Sequence, residues 1–399
     1  MIRVAFTLIG GTIWTGGYNY LLNLTRALSE HASGRVQPVL FVGDDVGEER
    51  LAPFAALSGI KLVCNSYFDD ALSPQHLREA VLTGSDRSAV REFEAQGVHV
   101  IFEAARFYGW RLRIPAIAWV PDFQHRYLRQ MFGFRRYWKR EFGFRAQVMS
   151  GRHVMLSSED ARQDCERFYP ATRGRTHVVR FAIHYPLEIS SVQARAIADQ
   201  YGLPDRFFFL PNQFWAHKNH ECVIKALRLL STKGGRVVVA ASGLQVDPRH
   251  PSHFPRLKEL VHDSGLERSF LLLGLIPHDH VLALMRSCSA LINPSRFEGW
   301  STTVEEAKAT GTPMILSSLR VHKEQAEENA LYFDTDSAYE LARILETFQP
   351  LTASQRELLV VKSRIAAEDD VRRFGDQFAD LVESVAFSHE SPSNALHQT

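Results

Sequence analysis

A chain of 399 residues with 45% hydrophobic and 23% charged residues has the composition of a soluble globular protein large enough for two domains. Its formal net charge of +1 gives no electrostatic case for nucleic acid as a partner. The four cysteines, at 64, 165, 222 and 288, form no CxxC pair and no metal-ligand spacing, so they read as buried, reduced thiols without a metal.

Residues 1–6 enter a strand at once, without the layout of a secretory leader, and no apolar run reaches the ~18 residues of a membrane span. A cytoplasmic protein is expected, with room for peripheral contact at the inner face of a membrane. Short apolar runs predict strands at 3–8, 38–42, 98–102, 116–120, 154–157 and 177–181 in the first half. In the second half they fall at 207–210, 236–241, 270–273, 290–293 and 314–317. Helical patterns lie between them, as at 18–30, 219–230 and 281–288. That alternation predicts an α/β protein with parallel sheets covered by helices on both faces. The strands are too many for one such sheet, so two doubly wound Rossmann-like domains are expected, 1–190 and 191–369, with the break across 186–204. Val371, Phe374, Phe378, Leu381, Val382 and Val385 recur at helical spacing, predicting a last helix over 370–388 that must dock elsewhere. The polar tail 389–399 is expected to be disordered.

The first loop, Gly10-Gly11-Thr12-Ile13-Trp14-Thr15-Gly16-Gly17, joins the first strand to the first helix. Ligands of open α/β sheets bind beyond the carboxyl ends of the strands, and glycines there let backbone amides approach a phosphate or sugar. A flexible strand-to-helix turn uses the same residues. The spacing is not GxGxxG and no acidic residue stands about twenty positions on at a strand end, which weighs against a nicotinamide cofactor. Further along, Asp122 and His125 follow the strand at 116–120, where each could face a cleft or sit as an ordinary structural residue. From Arg126 to Arg145 seven basic residues stand against one acid, Glu141, with Phe132, Phe134, Tyr137, Trp138, Phe142 and Phe144 interleaved. This pattern suits anionic lipid headgroups or a phosphorylated acceptor, and equally a solvated helix face over a local core.

In the second half, Pro211-Asn212-Gln213-Phe214-Trp215-Ala216-His217-Lys218-Asn219-His220 leaves a strand and enters a helix. Lys218 near that helix start can offset the charge of a diphosphate, or be a solvated lysine. Near the end, Glu298 and Glu306 stand eight positions apart, one in a glycine-containing loop and one in the following helix. The helix N-terminus between them is an anion site. Thr302 and Glu305 match the capping-box spacing, which assigns Glu305 to the cap and leaves Glu306 to point elsewhere.

With Asn293-Pro294-Ser295-Arg296-Phe297-Glu298-Gly299-Trp300, Glu306-Ala307 and Gly311-Thr312-Pro313, the chain resembles the GT-B fold retaining glycosyltransferases of family 4, the glycosyl transferases group 1 with an E-x7-E motif. Gln213 to His220 resembles that family's phosphate-binding loop, and Gly16-Gly17 its N-terminal glycine loop. The resemblance implies a GT-B architecture, with a donor cleft between the two domains and a C-terminal helix crossing back to the first. It implies transfer of a sugar, with retention, from a UDP- or GDP-linked donor to a saccharide or lipid-linked acceptor, as in cell-surface polysaccharide or glycan synthesis. Glu298 would bind sugar hydroxyls and Glu306 the ribose. Amides of Gly299, Trp300, Ser301 and Thr302, with Lys218, would hold the diphosphate without a metal or cofactor. Leu275 and Ile276 would edge the base, and Ser242 and Gly243 would line the pocket. Gly16, Gly17 and a catalytic-region histidine, His125 or in its place Asp122, would come from the first domain. Where many members carry an arginine, this chain has Gln213, so Lys218 acts alone or with help from His217 or another basic group. A non-catalytic nucleotide-sugar or glycan-binding protein and a GT-B epimerase or phosphorylase are the alternatives.

Overall fold

The structure is a computed structural model that describes residues 1–8, 15–104, 106–184 and 189–390, the side chains of 15, 389 and 390 excepted. Residues 10–14 of the first glycine loop and 391–399 of the expected disordered tail lie outside the described residues. The chain forms two compact units. The N-terminal unit comprises Met1–Phe123, Phe134–His184 and the chain from Asp369 onward; the C-terminal unit comprises Gln124–Gly133 and Tyr185–Glu368.

In the N-terminal unit the strands are β1 (Ile2–Thr7), β2 (Val36–Val42), β3 (Lys61–Cys64), β4 (Val100–Ala104), β5 (Ala116–Trp119), β6 (His153–Leu156) and β7 (Thr176–Val178). They form a parallel sheet in the order β3-β2-β1-β4-β5-β6-β7. Val4, Phe6, Val39, Phe41, Val100, Ile101 and Phe102 are all buried, as expected of strands covered on both faces. Pro38 lies inside β2, but pairing to β3 begins only at Val39↔Lys61, so its missing N–H costs no ladder bond on that side. One helix runs from Ala353 to Glu390. Its later part packs Phe378 on Phe6 and Phe102, with ring centroids 5.8 and 5.6 Å apart, and Phe374 on Phe181 at 5.7 Å. Gly375 lets this helix approach the helix Thr15–His31, since an added Cβ would lie 2.9 Å from the Ala27 carbonyl oxygen. Arg35 fixes the register through Glu383 at 2.7 Å and Asp380 at 2.5 Å.

In the C-terminal unit the strands are β8 (Phe208–Pro211), β9 (Val239–Ser242), β10 (Phe270–Gly274), β11 (Leu291–Asn293), β12 (Met314–Ser317) and β13 (Ala330–Phe333). Their order, β10-β9-β8-β11-β12-β13, repeats the order of the first sheet. In each sheet the winding reverses once, between β1 and β4 and between β8 and β11. At such a reversal the two outgoing loops diverge and leave a crevice.

The strands β3 and β13 were not among those expected. Both are partly exposed four-residue sheet edges, Lys61–Cys64 and Ala330–Phe333, whose short apolar stretches are set among polar residues. One cysteine also departs from expectation: Cys64 is exposed, whereas Cys165, Cys222 and Cys288 are buried and free. Burial pushes the Cys165 and Cys222 thiols up to about 11 and Cys288 up to about 12, which keeps them protonated.

Candidate active site

The loops leaving β8 and β11 meet at the reversal point of the second sheet. Asn219 ties them together. It adopts a left-handed conformation, φ 56°, which asparagine tolerates better than most residues. Its amide donates to the carbonyls of Pro294 at 3.1 Å and Thr335 at 2.9 Å. The Arg296 amide donates to the His217 carbonyl at 2.8 Å, adding a backbone link between the same loops. This scaffold places Lys218 Nζ 2.6 Å from Glu298 Oε1, with side chains only 13% and 9% exposed. In so shielded a setting the attraction between the two charges is stronger than at a surface and offsets the cost of desolvating them.

Glu306 projects from the helix Thr302–Ala309, is buried, and takes a hydrogen bond from His278 Nε2 at 2.8 Å. That hydrogen bond raises the His278 pKa above its ordinary value, against the opposing effect of desolvation. Glu305 is not the expected helix cap. The cap position is Ser301, one residue before Thr302, and its side chain caps nothing because Asn293 Nδ2 donates to its Oγ at 3.0 Å. Gln325 instead clamps Ser301, accepting from its amide at 3.0 Å and donating to its carbonyl at 2.8 Å. Glu305 holds Gln325 at 2.8 Å and Lys308 at 3.2 Å. The two adjacent glutamates therefore do different work: Glu305 stiffens the helix entry from behind, and Glu306 faces His278.

A third loop, after β9, is fastened onto the β8 loop. Ser242 is buried at the strand end, and Gly243 has φ 143° with the Asn212 carbonyl so close that a Cβ would collide with it. Gln213 Oε1 accepts from the Leu244 amide at 2.6 Å, and the Phe214 amide donates to the Leu244 carbonyl at 3.1 Å. Asp247, fully buried, accepts from the amides of Ala216 at 3.0 Å and Arg249 at 2.9 Å. Arg249 Nη2 lies 3.2 Å from His217 Nδ1. A guanidinium only donates, so Nδ1 accepts and the imidazole proton sits on Nε2. Burial, and after it the charges of Lys218 and Arg249, hold His217 well below its usual pKa, so it is neutral. In the β10 turn, Leu275 is exposed and Ile276 half-buried.

Asp122 and His125, three residues apart, belong to different units. Asp122 pairs with Arg140 at 2.7 Å inside the N-terminal unit. His125 is fully buried in the segment Gln124–Gly133, which belongs to the C-terminal unit. There Gln124 Oε1 accepts from Arg249 Nη1 at 3.0 Å, and Tyr127 lies 5.5 Å from Phe297. Gly16 and Gly17 open the helix Thr15–His31, the first exposed and the second buried. In the N-terminal unit, the carboxyl ends of β1 and β2 border a small cleft lined by Thr7, Asp45, Arg50, Asp70 and Arg106.

The basic aromatic segment also divides. From Phe134 to Met149 it is a helix with Tyr137, Glu141, Gln147 and Val148 buried. Phe134, Phe142 and Met149 are 76%, 61% and 84% exposed. Trp138 stacks on Phe142 at 5.3 Å. Among the described residues no helix is long and apolar enough to cross a membrane.

His278, Arg249 and Gln325 escaped the sequence reading. His278 alone had a local signal, since it opens a helix directly after the Gly274–Pro277 turn.

Residues 193–357 match the family model described as Glycosyl transferases group 1. Mannosylfructose-phosphate synthase of Agrobacterium fabrum is 22% identical over 131 residues, 32% of this chain and 29% of that protein. O-antigen chain mannosyltransferase RfbU of Salmonella typhimurium is 26% identical over 132 residues, 33% of this chain and 35% of its own length. The chain thus spans about a third of the length of these curated relatives. Among solved structures, Anabaena Alr3699/HepE in complex with UDP and glucose superposes with a TM-score of 0.69 at 16% identity, covering 96% of this chain and all (100%) of that one. A glycosyltransferase from Rickettsia africae gives 0.68 at 14% identity, covering 98% and 99%. By its fold the chain is a GT-B protein, two parallel Rossmann-like sheets, and over residues 193–357 it carries the match to Glycosyl transferases group 1.

Proposed function

We propose that the protein is a retaining glycosyltransferase of family 4 type. It takes a sugar from a UDP- or GDP-linked donor and passes it to a saccharide or lipid-linked acceptor, without a metal. The observation that carries this reading is the shielded Lys218–Glu298 pair at the β8/β11 reversal point, beside the N-terminus of the helix Thr302–Ala309. A diphosphate arriving there competes for Lys218, and Glu298 is released to accept hydrogen bonds from sugar hydroxyls. Amides of Gly299, Trp300, Ser301 and Thr302 receive the phosphates, assisted by the helix dipole. Glu306 exchanges His278 for the ribose hydroxyls, Leu275 and Ile276 edge the base, and Ser242 and Gly243 line the pocket. His125, held in the C-terminal unit, takes the catalytic-region place over Asp122, which Arg140 already occupies. Gly16 and Gly17 contribute from the first helix. The leaving diphosphate is stabilised electrostatically as the glycosidic carbon–oxygen bond breaks. Further support comes from the family match and from the UDP bound by the structural neighbour HepE.

Incubating the protein with UDP- and GDP-sugars and candidate acceptors tests this reading. Nucleotide diphosphate release that depends on acceptor, survives EDTA, and yields a product of unchanged anomeric configuration by proton NMR is expected. Binding without turnover would assign a glycan-binding role instead.

We also propose peripheral membrane contact through the helix Phe134–Met149. Exposed Phe134, Phe142 and Met149 beside Arg135, Arg136 and Lys139 combine apolar insertion with attraction to anionic headgroups. Flotation with anionic vesicles should carry the protein upward and neutral vesicles should not; equal recovery would overturn the idea.

A further inference from the structure

We infer that Arg249 is a diphosphate-binding residue, supplying from the β9 loop the guanidinium that the resembled family carries at the position of Gln213. The inference rests on the donor reading of the Lys218 site.

Gln213 cannot supply charge, and its oxygen is committed to the Leu244 amide at 2.6 Å. That bond is the first of four that lash the β9 loop to the β8 loop. The Phe214 amide to the Leu244 carbonyl at 3.1 Å, Asp247 to the Ala216 amide at 3.0 Å, and Arg249 to His217 at 3.2 Å complete the series. Gly243 permits the close crossing that starts it. The outcome is that residue 213 holds the loop whose far end delivers an arginine beside the residue preceding Lys218.

The guanidinium is prepared as an anion receptor. It lies over two aromatic rings, 5.4 Å from the Trp215 centroid and 5.6 Å from that of Phe132, which help to hold it in place. Its side chain is 20% exposed, so it is shielded without being sealed. Asp247, the acid beside it, stands 3.5 Å from Nε, beyond a good hydrogen bond, and spends both carboxylate oxygens on backbone amides. His217 is neutral and accepts one N–H, and Gln124 accepts another. Against five N–H donors, these partners leave capacity for phosphate oxygens. Arg249 touches His217, the residue before Lys218, and both cations act electrostatically on that neutral imidazole; two cations together match a diphosphate better than one.

Calorimetric titration of UDP, UMP, GDP and GMP into wild type, Arg249→Gln and Arg249→Lys tests this. The Gln variant keeps the stem over the rings and drops the charge. We expect it to weaken whichever nucleoside diphosphate the wild type binds by about tenfold to a hundredfold, and to leave the monophosphate within about twofold. The Lys variant should recover most of the loss as a point charge. Unchanged diphosphate binding in Arg249→Gln, or equal loss of mono- and diphosphate, overturns the inference while leaving the donor reading intact. Wild-type protein that binds neither UDP nor GDP removes the donor reading and this inference with it.

Discussion

The two sheets of this protein share a strand order, and the crevices at their carboxyl ends share little else. Beyond β8 and β11, shielded carboxylates are already paired, Glu298 with Lys218 and Glu306 with His278, and the loops are lashed by Asn219, Gln325 and Asp247. Beyond β1 and β2, the cleft is lined by two arginines and two aspartates that are loosely matched, Arg106 standing 3.7 Å from an exposed Asp70. Topology decides where a crevice forms, and side chains decide what it recognises. A rigid, charge-matched crevice suits one invariant group such as a diphosphate. A looser mixed-charge cleft suits the varied hydroxyls of an acceptor.

The comparison breaks first at Lys218. Lys218→Ala should lower transfer by about a hundredfold to a thousandfold, as loss of one preorganised electrostatic contact does, while circular dichroism shows a folded protein. Near-normal turnover would remove the charge-matched crevice from the mechanism. Next comes Gly243→Ala. Forcing a Cβ against the Asn212 carbonyl at φ 143° should destabilise the protein by about 1–3 kcal/mol in urea unfolding and weaken nucleotide binding with it. Arg106→Ala sharpens the contrast from the other side: about a tenfold rise in acceptor KM, with UDP or GDP affinity unchanged. A fall in nucleotide affinity there would mean that the two crevices are not separate in function.

The smallest effect concerns His278. Its pKa is raised by Glu306, so Glu306→Gln should return its NMR titration midpoint toward the ordinary value near 6.5. The corresponding stabilisation is fully present below the unfolded pKa and is lost as pH rises through the higher folded value. Because that histidine is largely exposed, the loss should be a shallow decline above about pH 6.5. A midpoint unmoved in the variant would show that the His278–Glu306 contact does not govern the imidazole.

Legibility in the sequence followed burial. Strands covered on both faces, such as Phe208–Pro211 and Met314–Ser317, announced themselves as apolar runs, whereas β3 and β13, partly exposed four-residue edges set among polar residues, were passed over. The Glu298–Glu306 spacing and the Lys218 loop were readable because strand, loop and helix follow one another within a few residues. The capping-box reading of Glu305 failed because Asn293 and Gln325, 12 positions before and 20 after it, set where the helix starts.

What the sequence determined by itself was the alternation of strands and helices and the scale of two parallel sheets, both encoded in local patterns. What only the tertiary structure decided was partnership. Arg249 next to His217, Gln325 on Ser301 and His278 on Glu306 join residues 32, 24 and 28 positions apart. His125 passes to the C-terminal unit while Asp122 stays in the other. Such contacts arise where strand order reverses and loops distant in the chain converge, and no periodicity in the sequence records that convergence.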